Sequence, residues 1–71
     1  MSRDICKRFG KRVRQLREQK KITQVALAEK AGVEQQHLSN VELGNKEPGL
    51  RVVEMLATGL GVSLRQLFWD L

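Results

Sequence analysis

Five hydrogen-bonding side chains fall within six consecutive positions in the middle of the chain: Gln35, Gln36, His37, Ser39 and Asn40, interrupted only by Leu38. Gln and Asn each present a donor beside an acceptor, the arrangement that matches the N6 and N7 edge of adenine. An ordinary solvated helix face is richer in Glu and Lys. The chemistry implied is the reading of base edges in a duplex, with His37 the weakest of the five candidates.

Other chemistries lack their residues. One His and one Cys, Cys6, cannot supply the three or four ligands of a metal site. No Ser-His-Asp set is in view, and no glycine-rich phosphate loop occurs. We expect no catalysis, no metal and no cofactor, and there is no sign of a small-molecule ligand domain. No run approaches the roughly 18 apolar residues that span a bilayer. The basic N-terminus has no continuous apolar stretch to make a signal peptide. The lone cysteine asks for no oxidising compartment, so a cytoplasmic protein with no membrane partner is expected.

Charge supports a polyanionic partner. The net charge is +5, and residues 1–21 hold nine of the thirteen Lys and Arg but only two of the eight acids. A basic N-terminal segment on a nearly neutral body fits a nucleic acid.

The elements that must position the polar cluster are all helical, because every apolar series follows a helical period. At 71 residues there is room for one small domain. Ile5, Phe9, Val13 and Leu16 mark a first helix over about 4–20. Gly10 lies inside it at a cost of about 1 kcal/mol relative to Ala, and marks a place where another backbone could come close. Thr23 is an N-cap for a second helix over about 24–30, burying Leu27, Ala28 and Ala31. Gly32 supplies the turn, and Val33 re-enters the core. A third helix over about 34–43 turns Leu38 and Val41 inward, and Gly44 ends it. After a polar loop containing Pro48, a fourth helix over about 50–60 buries Leu50, Val53, Leu56, Ala57 and Leu60. Ser63 caps a fifth over about 64–69. The fold expected over 1–71 is all-α, a compact five-helix domain. The pair of short helices around Gly32 holds the third one proud of the body, able to enter a major groove about 12 Å wide.

The run TQVALAEKAGVEQQHLSNVELG, with LREQKKI before it and PGLRVVEMLATGLGVSLRQLF after it, resembles the Cro/CI-type (XRE) helix-turn-helix family. The likeness extends from about Gly10 to Phe68. The Gln35-Gln36 pair is similar to that of lambdoid phage repressors. The basic N-terminal extension and small size resemble restriction-modification controller proteins. The resemblance implies a lambda-repressor-like fold, a bacterial or phage source, a place on the nucleoid, and transcription regulation, as repressor or controller. It also implies residue roles. Gln35, Gln36, Ser39 and Asn40 match base-reading positions, with His37 a weaker one. Gln24, Arg17, Arg14, Asn45 and Lys46 match positions near phosphates, and Arg17 would form an ion pair with Glu42 to orient the reading helix. Three positions depart from the family pattern. Glu34 stands where Ser, Thr or Asp is commoner, Val25 where a polar residue is usual, and Leu43 where a basic one is frequent.

One such domain contacts too few base pairs for useful specificity. A homodimer reading half-sites about 34 Å apart on a palindromic operator solves this. Val52, Met55, Leu64, Phe68, Trp69 and Leu71 exceed what one small core absorbs and are the expected interface, with Phe68 and Trp69 folding back on the first helix as the competing arrangement. RNA polymerase would be a further partner if the protein activates. Two rival functions remain. One is an antitoxin-type protein-interaction module with autoregulatory DNA binding, which usually carries an added toxin-binding segment that has almost no room here. The other is a bridging module that no longer reads DNA, for which an acidic or apolar third helix would be expected.

Overall fold

The helices begin where side chains supply acceptors for the first free amides. In the computed structural model, which describes residues 4–71, Asp4 accepts from the Cys6 amide at 2.7 Å and opens α1 (Ile5–Gln19). Thr23 accepts from the Ala26 amide at 3.0 Å and opens α2 (Gln24–Ala31). Ser63 and Gln66 form a reciprocal capping box ahead of α5 (Leu64–Leu67). The remaining two helices, α3 (Gln35–Leu43) and α4 (Leu50–Leu60), follow Glu34 and Gly49, neither of which makes a side-chain cap. No strand occurs among the described residues.

Packing divides into two helix pairs that share one core. α1 lies chiefly against α3 and α2 chiefly against α4, with α5 closing the end of α1 and α4. Phe9, Val13 and Leu16 of α1 meet Leu27 of α2, Leu38 and Val41 of α3, Leu56 and Leu60 of α4, and Leu67 of α5. Leu27, Leu38, Leu56, Leu67, Val13 and Val41 are fully buried. Burying a Leu or Val side chain contributes roughly 1.5–3 kcal/mol, and Phe9, Leu16, Val53 and Leu60, nearly as well covered, add to the same core.

Two glycines set the geometry. A Cβ on Gly10 would fall 2.1 Å from the Val41 carbonyl oxygen and 2.8 Å from that of Glu42. The backbones of α1 and α3 are therefore in direct contact, which offsets the helix-propensity cost of glycine there. Gly32 takes φ +75, and its amide and that of Val33 both donate to the Ala28 carbonyl. This left-handed cap reverses the chain between α2 and α3 within three residues.

Two apolar residues read from sequence as core are outside it. Ile5 is about half exposed and Leu50 is 87% exposed. Each is the first residue of its helix, where the side chain overhangs the end of the packed layer. Periodicity alone does not reveal that overhang. The fifth helix stops at Leu67, short of residue 69, and Phe68 and Trp69 lie in the turn that follows.

Candidate nucleic-acid interface

Leu38 and Val41 anchor α3 to the core with their side chains wholly covered. That fixes the opposite side of the helix outward. Gln35 and Gln36 are exposed there, while Ser39 and Asn40 are half-buried. None of these four side chains is held by a hydrogen bond within the protein, so their donors and acceptors remain available. His37 differs: it is half-buried, and its Nε2 is buried without a hydrogen-bond partner. The structure thus groups four of the five polar residues on one face and turns the fifth partly inward.

The orientation of α3 is fixed at its far end by a polar cluster. Arg17 Nε donates to Glu42 Oε2 at 2.7 Å and its Nη2 to Glu42 Oε1 at 3.0 Å, while its Nη1 donates to the Ile22 carbonyl at 3.0 Å. Gln24 Nε2 adds a bond to Glu42 Oε1 at 3.0 Å. The two charged side chains are 13% and 4% exposed, so each leaves water only because the other is there. The Glu42 hydrogen bond pushes the Arg17 guanidinium above its ordinary range, against the opposing effect of burial. One cluster therefore ties α1, the chain entering α2, and the C-terminal part of α3.

Gln24 keeps one amide hydrogen beyond its bond to Glu42, and Arg17 keeps two of its five N–H donors. Arg14 pairs with Glu18 at 3.2 Å on the exposed side of α1, a contact of small energetic weight. Asn45 and Lys46 stand exposed in the loop after α3. One residue that sequence reasoning missed is Lys7, whose Nζ donates to the Leu43 carbonyl at 3.4 Å. A cation there favours the negative end of α3. The signal was present in Gly10, since the close backbone approach it permits brings the preceding turn of α1 beside the end of α3.

Two arginines of the basic first helix also bond within the protein. Arg12 donates through Nη2 to the Gln66 carbonyl at 2.8 Å and through Nε at 3.3 Å, and to Gln15 Oε1 at 3.0 Å. Arg8 donates to the Leu71 carbonyl. Part of the N-terminal charge is thus engaged in fastening the C-terminal segment. Sequence position cannot show this, because the acceptors are main-chain oxygens more than fifty residues away.

The C-terminal apolar residues are unevenly placed. Phe68 stacks on Phe9 with centroids 5.3 Å apart and rings inclined by 29°, yet stays partly exposed. Trp69 is 64% exposed and Leu64 about half. Val52 and Leu71 pack against the core, and the Met55 side chain reaches the turn at Gly32. Among the described residues, no group of three His, Cys, Asp or Glu could hold a metal ion. No helix among them is long and apolar enough to cross a membrane.

Residues 13–67, which span α2, the Gly32 turn and α3, match the helix-turn-helix family. The chain belongs to the XRE-type helix-turn-helix family. This helix-turn-helix chain is similar to the control protein C.MunI of a Mycoplasma species, at 32% identity over 96% of its own length and 93% of the relative's. It is also similar to the immunity repressor protein of Bacillus phage phi105, at 36% identity over 78% of its length. The aligned region covers 38% of that repressor. Among solved structures, the restriction-modification controller protein C.AhdI from Aeromonas hydrophila superimposes with a TM-score of 0.86 at 35% identity, over 89% of this chain and 96% of that one. The five-helix fold of this helix-turn-helix protein is thus that of a controller protein.

Proposed function

We propose that the protein is a sequence-specific DNA-binding transcriptional regulator that inserts α3 into the major groove and binds a palindromic operator as a homodimer. The observation that carries this reading is the outward face of α3. Gln35, Gln36, Ser39 and Asn40 stand there with their hydrogen-bonding groups unengaged, on a helix whose aim is fixed by Arg17 and Glu42. Leaving such groups unpaired in a rigid frame suits a partner that supplies the complementary edges, and base pairs do so. The remaining donors of Gln24 and Arg17, with Asn45, Lys46 and Arg14, serve the phosphates.

For the dimer, the supporting observation is the exposed set of Leu64, Phe68 and Trp69 at the C-terminal end, to which the partly covered Val52, Met55 and Leu71 are added. An operator near a promoter makes the protein a repressor or, through contact with RNA polymerase, an activator. Such a regulator works in the cytoplasm. The test is selection of bound duplexes from a random pool at near-physiological salt. Enrichment of a palindrome with half-sites about one helical turn apart supports both parts of the reading. Salt-sensitive binding without enrichment refutes it.

A further inference from the structure

Glu34 is the anomaly of the reading helix. It occupies the N-cap of α3, with φ −69 and ψ 141, and makes no side-chain cap. The other three N-cap side chains, Asp4, Thr23 and Ser63, each accept a hydrogen bond from their own helix. Glu34 is exposed and forms no ion pair or hydrogen bond through its carboxylate. The residues that follow it directly are Gln35 and Gln36, which are equally exposed and unengaged.

An unpartnered carboxylate in that place is costly next to a phosphate backbone, unless a donor meets it. It is an acceptor only. Among the groups on the major-groove edge, the amino group that offers a donor without an acceptor on the same base is N4 of cytosine. Adenine offers its N6 donor beside the N7 acceptor, which would repel a carboxylate and suits Gln instead.

We propose that Glu34 is a specificity-determining residue that accepts a hydrogen bond from cytosine N4 in each half-site, at a base pair adjacent to those read by Gln35 and Gln36. This rests on the DNA-reading function proposed above. Glu34 then acts in two ways. It selects one G·C pair, and it penalises every duplex lacking a donor at that place, because the carboxylate there meets only acceptors or phosphate. General affinity is sacrificed for discrimination.

The experiment is duplex selection with the full chain and with Glu34→Ala and Glu34→Gln, all checked for helical content by circular dichroism. For the native protein a cytosine is expected at one position adjacent to the pairs lost in Gln35→Ala and Gln36→Ala. In Glu34→Ala that single preference should fall by about tenfold or more, with other positions unchanged, while binding to unrelated DNA strengthens. Replacing that cytosine by N4-methylcytosine, which removes one N4 hydrogen, should weaken the native protein and leave Glu34→Ala unaffected. An unchanged consensus in Glu34→Ala, with the Gln variants altered, overturns the role of Glu34 alone. A native protein that enriches no sequence overturns the DNA reading and this role with it.

Discussion

Arg17 holds Glu42 by both carboxylate oxygens, at 2.7 and 3.0 Å, across twenty-five residues of sequence. The pair links the last turn of α1 to the penultimate residue of α3, so the direction of α3 is set by a bidentate contact. Bidentate guanidinium–carboxylate pairs fix angle as well as distance.

Removing one partner strands the other. Arg17→Met should lower stability by about 3 kcal/mol, because Glu42 would remain covered with Gln24 as its main donor. Arg17→Met combined with Glu42→Leu should cost less than Arg17→Met alone. Urea denaturation of both variants tests this, and a double variant weaker than the single one would contradict it.

Gly10→Ala should destabilise the protein despite the higher helix propensity of alanine. The added methyl would meet a main-chain oxygen at 2.1 Å, which no side-chain movement relieves. We expect a loss of about 2 kcal/mol or more, seen as a fall in Tm of roughly 8 °C or more. A melting temperature equal to that of the native chain would mean that α1 and α3 can separate freely.

Base reading and backbone contact should separate by mutation. Gln36→Ala should cost about 1–3 kcal/mol on the selected operator and relax one position per half-site. Lys46→Ala should weaken all sequences alike and reduce the salt slope by about one. Titrations on matched and scrambled duplexes at several salt concentrations distinguish the two patterns. A Gln36→Ala protein with native preference would remove that residue from the reading set.

Trp69 is the only tryptophan and stands 64% exposed in the single chain. If it is covered on dimerisation, its fluorescence should shift to the blue as protein concentration rises, in step with the mass measured by sedimentation. Trp69→Ala should weaken self-association by at least about 2 kcal/mol. A dimer whose tryptophan emission stays that of an exposed indole would place the interface elsewhere.

Helical periodicity and the glycine turns made the five-helix order legible, because Leu27, Leu38 and Val41 can face only one way on short helices. The family motif made the outward face of α3 legible too. What stayed hidden depends on tertiary direction. Ile5 and Leu50 fit the apolar period yet project beyond the packed layer. His37 lies among polar neighbours in sequence, but its Nε2 points inward. The acceptors for Arg8 and Arg12 are main-chain oxygens at the opposite end of the chain, and no residue type announces them.

That last attachment has its own consequence. Every amino acid carries the same carbonyl, so a tail moored through the Gln66 and Leu71 oxygens takes that part of its attachment from the main chain, while Phe68 on Phe9 and Leu71 on the core supply the side-chain part. Trp69, largely exposed, can change identity while the strap that carries it stays where it is, whereas Asp70, at φ 60, holds a backbone conformation that few side chains adopt. Any contact that the Trp69 side chain makes can then be altered without the fold being renegotiated.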